Sequence, residues 1–97
     1  FKPVFVDISL RNLALDEGKH EIRVNAVSPG YILTDLTKTW LSGEAGRTER
    51  ANSIQPLGRM GEPIEIAKVV TFLLSDKSTY VSGSDWAVDG GLGARIA

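Results

Sequence analysis

The stretch RVNAVSPGYILTD, residues 23–35, contains the residues whose types and spacing best suit the binding of a ligand. An apolar run ends at Pro29 and Gly30, and Thr34 follows four residues after the glycine. Proline sets the direction in which the chain leaves, and glycine lets the backbone approach a flat ligand closely. The N–H groups around Ile32 and Thr34, together with the Thr34 hydroxyl, can donate to an amide or phosphate oxygen. The pattern therefore indicates a binding turn, and the alternative is an ordinary turn in which Thr34 is only the N-cap of a helix.

Other residues capable of chemistry are scattered along the chain. There is one histidine, His20, and no cysteine, so no metal site is expected. A lone histidine between two elements is usually a surface residue. Arg23, Asn25 and Arg59 are expected to make structural hydrogen bonds, and Asp89 is expected to cap a turn.

Composition excludes several classes of function. Eleven Lys and Arg against twelve Asp and Glu leave a net charge of −1, and the basic residues are dispersed, so no nucleic-acid partner is expected. No apolar run approaches the ~20 residues of a membrane-spanning helix, so no membrane partner is expected either. The lack of cysteine favours a reducing, cytoplasmic setting.

The elements that must position the binding turn follow an α/β pattern. The first two are a helix over residues 4–17, ended by Gly18, and a buried strand within residues 21–28. A long excursion with short helical turns follows Gly30. The last two are a helix that begins at Pro63 and a strand from Trp86 to Val88. This order is typical of the second half of a parallel βαβ sheet. Two parallel strands need further neighbours, so the chain is expected to be part of a larger fold.

Four ordered segments carry a resemblance to a known family. LRNLALDE, RVNAVSPGYILTD, PLGRMGEPIEIAKVVTFLLSD and YVSGSDWAVDGG resemble, in this order and spacing, the carboxyl-terminal portion of short-chain dehydrogenases/reductases. The match covers roughly residues 10–91, while the register of residues 1–9 stays open. The resemblance implies that residues 1–97 are one partial domain, the last part of a Rossmann-like doubly wound parallel sheet.

The resemblance also implies roles for individual residues. Pro29 and Gly30 would lie beside the nicotinamide ring of NAD or NADP, the backbone of Ile32 would bind its carboxamide, and Thr34 would bind the carboxamide or the pyrophosphate. Residues 36–55 would form a loop that covers a small carbonyl or alcohol substrate.

Three residues of this region, Tyr31, Leu36 and Trp40, could line the substrate pocket. For Trp40, a role as an aromatic that only packs the loop is equally open.

The chain departs from the family in its catalytic groups. Neither Tyr31 nor Tyr80 begins the Tyr-x-x-x-Lys pair that such enzymes use, and the glycine-rich pyrophosphate turn is absent. The family's lysine would fall near Pro3, with Lys2 one position out of register, so no catalytic residue is assigned.

The hypothesis is a portion of an NAD(P)-dependent oxidoreductase that interconverts a secondary alcohol and a ketone of the polyol, sugar or 3-oxoacyl type. The alternative is a non-catalytic association module. Family members associate through the last helix and strand, so Phe72, Trp86 and the tail LGARIA are expected to form a homo-oligomer contact.

Overall fold

A computed structural model describes residues 4–96, with side chains over residues 10–94. The elements are α1 (Val4–Gly18), β1 (Ala26–Pro29), α2 (Asp35–Ser42), α3 (Arg47–Ile54), α4 (Pro63–Leu74), a 3-10 turn (Asp76–Ser78), β2 (Asp85–Val88) and α5 (Leu92–Ile96). The interpretations of Lys2, Pro3 and the end of the LGARIA tail lie outside the described side chains.

β1 and β2 form a two-stranded parallel sheet, which confirms the predicted α/β class. Ala26 pairs with Asp85, and Pro29 pairs with Val88. Both strands therefore end at the same edge. Because Pro29 is the last residue of β1, the Pro-Gly break begins inside the strand and not after it.

The prediction for the first strand was wrong in its extent, since β1 begins at residue 26 and not within 21–25. One backbone bond precedes it, from Gly83 N to the Val24 carbonyl at 2.7 Å, and side chains make further contacts there. Val24 N donates to Ser82 Oγ at 3.2 Å, and Ser84 N donates to Asn25 Oδ1 at 3.1 Å. These contacts confirm the structural role of Asn25 but do not make a strand, because a strand requires paired backbone groups.

Arg23 makes the structural hydrogen bonds that its position indicated. Its guanidinium donates to Ser78 Oγ at 3.1 Å, to the carbonyl of Val81 at 3.2 Å and to the carbonyl of Ser75 at 3.3 Å. The segment before β1 is thereby fastened to the turn that follows α4.

Residues 36–55, predicted as a substrate-covering loop with short helical turns, are more regular than predicted. The segment consists mainly of two eight-residue helices, α2 and α3. Gly46 separates them with φ of 87°, a left-handed value that glycine adopts without strain. Each helix is too short to show a clear apolar period, which is why the pattern resembled a loop.

A small core fixes these two helices to the chain that flanks them. Leu41 of α2, Ala51 of α3 and Met60 are buried together, and Leu33 packs against them. Burial of these side chains favours helices over extended backbone here, although each helix by itself has few apolar residues.

α4 begins at Pro63, as predicted, and continues to Leu74. Proline suits the first helical position because that N–H has no partner in a helix. Glu62 is the N-cap, and its N–H donates to the Glu65 carboxylate at 2.9 Å. Only Leu73 of this helix is buried, whereas Ile64 and Leu74 are 58% and 80% exposed.

The described chain is elongated, with extents of 52 × 26 × 21 Å and a radius of gyration of 15.8 Å. A compact domain of this length has a radius of gyration of about 13 Å. Large apolar side chains are exposed on α1, including Leu13 and Leu15. The fold therefore leaves apolar faces and sheet edges that further structure would cover. No helix in the described part of the chain is long and apolar enough to cross a membrane.

Candidate functional site

The candidate site lies at the edge where both parallel strands end. The pairing continues one residue past β1, because Gly30 N donates to the Val88 carbonyl at 3.0 Å. The chain then leaves the sheet through residues 31–34 and enters α2. Open α/β sheets bind ligands at the carboxyl ends of their parallel strands, so this edge is the candidate ligand-binding edge.

Gly30 is glycine for a reason that the sequence did not indicate. A Cβ at this position would lie 2.8 Å from both the Cα and the Cβ of Asp89, which follows β2. Such distances are well inside van der Waals contact, so no other residue fits without a backbone shift. Close packing of the two strand ends requires this glycine, and close approach to a ligand is a separate role that stays a prediction.

Asp89 is engaged in structure, as its position indicated. Its carboxylate accepts from Gly91 N at 3.0 Å and from Gly93 N at 2.9 Å. It caps the start of α5 and holds the turn after β2. Both carboxylate oxygens therefore hold the turn at this edge of the sheet.

A single parallel bridge between Ile32 and Gly61 fixes the binding turn. Gly61 N donates to the Tyr31 carbonyl, and Leu33 N donates to the Gly61 carbonyl, both at 2.9 Å. Successive N–H groups of an extended chain alternate in direction, so Ile32 N points away from Gly61. Among the described residues, Ile32 N–H has no hydrogen-bond acceptor. Tyr31 N–H likewise has no acceptor among these residues, so the turn presents two unpaired backbone donors, at Tyr31 and at Ile32.

Thr34 is the N-cap of α2, which is the structural alternative that its position left open. Its Oγ1 accepts from Thr37 N at 3.2 Å and lies 3.0 Å from the Thr37 hydroxyl. Its own N–H donates to the Ile32 carbonyl at 2.9 Å and is not available to a ligand. The Thr34 side chain is exposed, so a hydroxyl that caps the helix can also face a ligand.

The structure separates the three residues that were predicted to line a substrate pocket. Tyr31 lines a cavity of about 130 Å³ together with residues of the 55–61 loop, the start of α4 and the end of β2. Leu36 and Trp40 lie elsewhere, one turn apart on α2, and are 82% and 54% exposed. Trp40 is more than half exposed, which agrees with the alternative of a surface aromatic, and its place in a substrate pocket stays a prediction.

An ion pair between Arg59 and Glu65 borders the same cavity. The guanidinium donates to both carboxylate oxygens, at 2.8 Å and 3.0 Å, and also to the Met60 carbonyl at 3.1 Å. The hydrogen bonds from Arg59 and from the backbone of Glu62 lower the pKa of Glu65 from 4.5 to about 2. The structural role of Arg59 was predicted, but its partner Glu65 was not. Sequence periodicity relates residues within one element, and Arg59 lies in a loop before the helix that carries Glu65.

Gln55 also lines this cavity and was not identified from the sequence. It is only 3% exposed, and its Nε2 donates to the Ala51 carbonyl at 2.8 Å and to the Arg59 carbonyl at 3.4 Å. Its Oε1 is buried without a described partner. A glutamine between the end of a helix and a proline has no sequence signal that distinguishes it from a surface residue.

Comparisons with known proteins agree on the origin of this arrangement. A family model described as enoyl-(acyl carrier protein) reductase matches residues 5–93. A short-chain dehydrogenase of Penicillium roqueforti, anuF, is 44% identical over 86 residues, which are 89% of this chain and 31% of that protein. L-rhamnose 1-dehydrogenase (NAD(P)(+)) of Azotobacter vinelandii is 46% identical over 83 residues, covering 86% of this chain and 32% of that protein.

A solved structure shows the same fold. 4-Hydroxyisoleucine dehydrogenase complexed with NADH superposes with a TM-score of 0.83 and 35% identity, over 92% of this chain and 36% of that one. The chain therefore spans about a third of the length of the curated relatives that it matches.

Proposed function

The chain belongs to the short-chain dehydrogenase/reductase family, as the carboxyl-terminal part of a Rossmann-like doubly wound sheet, and we propose that it supplies the nicotinamide side of an NAD(P)-dependent oxidoreductase. The reaction is the interconversion of a secondary alcohol and a ketone. The chain contributes the cofactor turn, Pro29 to Thr34, and the substrate-covering segment, residues 36–55.

The unpaired N–H of Ile32 is the observation that carries this proposal. It lies at the carboxyl edge of the parallel strands, and its neighbours on both sides are bonded to Gly61. A rigid, unpaired donor at that edge suits a flat ring that carries an amide, because the amide oxygen would satisfy it. Gly30, two residues earlier, keeps the strand ends closely packed at this edge, because a Cβ there would meet Asp89.

Each residue of the turn has a distinct task in the proposed site. Ile32 N–H holds the carboxamide oxygen, Pro29 and Gly30 form the surface against the ring, and the exposed Thr34 hydroxyl donates to the carboxamide or the pyrophosphate. The nicotinamide, when bound, supplies hydride acceptance and donation. The chain's own residues orient that ring and exclude water, while proton transfer is assigned to the Tyr and Lys of the part of the protein that precedes this chain.

The substrate is a small carbonyl or alcohol compound of the polyol, sugar or 3-oxoacyl type. Tyr31 borders the cavity at the strand edge, and Leu36 and Trp40, which are exposed on α2, are assigned to the substrate-facing side of the covering segment. A sugar dehydrogenase among the relatives supports the polyol or sugar class. The cofactor is NAD or NADP, since the relatives' names include NADH and NAD(P)(+).

The protein acts in the cytoplasm as a homo-oligomer that associates through α4 and β2. Phe72 and Trp86 stack with their ring centroids 5.8 Å apart, which joins the two elements into one surface. Ile64, Val70 and Leu74 of α4 are exposed, at 58%, 37% and 80%. The same exposed residues favour the second candidate, a non-catalytic association module.

The full-length protein, obtained by extending the coding sequence upstream, tests the proposal. Oxidation of NADH and NADPH is followed with ketose and 3-oxoacyl substrates. We expect turnover with one of the two cofactors, and a Tyr-x-x-x-Lys pair upstream of Phe1. A translation start immediately before Phe1, together with no cofactor binding, would instead establish the association module.

A further inference from the structure

We propose that Arg47 is a positioning residue that orients the indole of Trp40 as a wall of the substrate pocket, an inference that rests on the proposed function of residues 36–55. The Arg47 guanidinium carbon lies 4.8 Å from the centre of the Trp40 ring. The Nη1 of the same guanidinium donates to the Trp40 carbonyl at 2.7 Å. One side chain thus contacts both the ring and the backbone of Trp40.

Arg47 is itself held in place. Its Nη2 donates to Glu44 Oε2 at 3.1 Å, and its side chain is 25% exposed against 61% for Glu44. Gly43 leaves room for it, because a Cβ there would lie 3.1 Å from Arg47 Nη1. The Trp40 carbonyl also accepts from Gly43 N at 3.2 Å, so two donors meet at the end of α2.

The indole needs such an anchor because burial does not hold it. Trp40 is 54% exposed, and an exposed aromatic side chain exchanges between rotamers. A cation over the ring favours one of them. Leu36 lies four residues earlier on α2, and this spacing puts both apolar groups on one side of the helix.

The arrangement selects the chemistry of the substrate. The positive charge of Arg47 is balanced by Glu44, so the wall that Trp40 and Leu36 present is apolar and electrically neutral. The C–H face of a ring or an alkyl chain packs well on an indole, whereas the electron-rich ring face does not stabilise an anionic group. Arg47 therefore acts on substrate binding through Trp40, without contacting the substrate itself.

The test uses three variants of the full-length protein: Arg47→Met, Arg47→Lys and Trp40→Ala. Arg11→Met on α1, outside residues 36–55, is the control. We expect Arg47→Met to raise KM for the carbonyl substrate about two- to five-fold, the range for loss of an exposed cation–π contact. Arg47→Lys should recover part of this loss because it keeps a cation. The Kd for the cofactor should not change in these variants, and the KM of Arg11→Met should equal that of the unaltered protein.

Fluorescence gives a second readout that a purely structural role would not produce. In a Trp86→Phe background, Trp40 is the only tryptophan of residues 1–97, and Arg47→Met should shift its emission and broaden its lifetimes. Tryptophans in the upstream part of the full-length protein are replaced in the same way.

The outcomes separate this inference from the proposed function. A raised KM in Trp40→Ala with no change in Arg47→Met would overturn the role of Arg47 and leave the substrate-covering segment in place. An unchanged KM in both variants would overturn the role of Arg47 and also the assignment of Trp40 to the substrate pocket. A lower melting temperature in Arg47→Met with the same KM and the same Trp40 emission would show that Arg47 is structural only.

Discussion

Gly30 and Asp89, which follow the two paired strands, lie so close together that a Cβ on Gly30 would be 2.8 Å from both the Cα and the Cβ of Asp89. Asp89 cannot move away easily, because its carboxylate holds the N–H groups of Gly91 and Gly93. The glycine is therefore required by the sheet whether or not a cofactor binds. A loss of cofactor binding after substitution of Gly30 would not by itself identify a ligand contact.

Substitution of Gly30 should reduce the stability of the protein whether or not it changes cofactor binding. Gly30→Ala in the full-length protein is expected to lower the free energy of unfolding by roughly 1–3 kcal/mol, the cost of overpacking a close contact. Gly18→Ala is the control, because a Cβ there meets nothing within 4 Å. Thermal unfolding measures both, and an unchanged melting temperature in Gly30→Ala would show that the strand ends can separate.

Thr34 should affect stability and cofactor affinity together, since its hydroxyl caps α2 and is exposed. Thr34→Val keeps the shape of the side chain and removes the cap, which costs about 1 kcal/mol of stability. If the hydroxyl also binds the cofactor, the Kd should rise by roughly several-fold. Thr34→Ser keeps the hydroxyl, so its stability and its cofactor Kd should match those of the unaltered protein. A lower melting temperature with an unchanged Kd would leave Thr34 as an N-cap only.

The pair of Arg59 and Glu65 should make stability depend on pH in the acid range. The pKa of Glu65 is lowered from 4.5 to about 2, so its contribution is complete above 4.5 and is lost as the pH falls towards 2. Glu65→Gln should flatten the dependence of stability on pH in this window. Denaturation at a series of pH values measures the slope, with Glu49→Gln as the control. Equal slopes in all three proteins would contradict the assignment.

At position 55, loss of the amide should reduce the stability of the protein less than gain of a charge. The Nε2 of Gln55 donates to two backbone carbonyls, and the guanidinium of Arg59 is already bonded to Glu65. Gln55→Glu should cost about 2–5 kcal/mol of stability at neutral pH, because a buried carboxylate there faces acceptors. The cost should fall as the pH drops from the raised pKa of this buried carboxyl to about 4.3, the ordinary pKa of Glu, below which the group is protonated in both states. Gln55→Met is the comparison, and its stability should show no such pH dependence.

The 97-residue chain by itself should neither turn over substrate nor remain monomeric. Its catalytic Tyr-x-x-x-Lys pair is absent, and its described side chains include only four buried hydrophobic residues, Leu41, Ala51, Met60 and Leu73. Open sheet edges and exposed leucines favour association. Cofactor oxidation measures turnover, size-exclusion chromatography measures the oligomeric state, and hydrogen exchange measures the protection of the amides. Turnover above a buffer blank, or a monomer with uniformly protected amides, would contradict this expectation.

The elements that the sequence predicted well are those with local signals. Pro63 preceded by Glu62 marks the start of α4, and Gly18 marks the end of α1, because these residues act on the backbone at their own positions. The short apolar run at Trp86 marks β2. The order of these elements was enough to predict a parallel α/β fold.

The site was predicted less completely, since its geometry depends on residues far apart in the chain. That Pro29, Gly30 and Ile32 lie at the end of a parallel strand could be expected from the pattern. That Ile32 keeps an unpaired N–H depends on Gly61, which occupies the neighbouring groups. That dependence has no counterpart in local sequence.

By itself, the sequence determined the family, the class of fold and the position of the Pro-Gly turn, because periodicity, prolines and glycines act locally. Only the tertiary structure decided that residues 35–42 and 47–54 form full helices, through the burial of Leu41 and Ala51 beside Met60. It also decided that Gly30 is required by Asp89, and that Arg47 lies over Trp40. These relations arise from packing and from side-chain hydrogen bonds between separate segments, and such contacts exist only once the chain has folded.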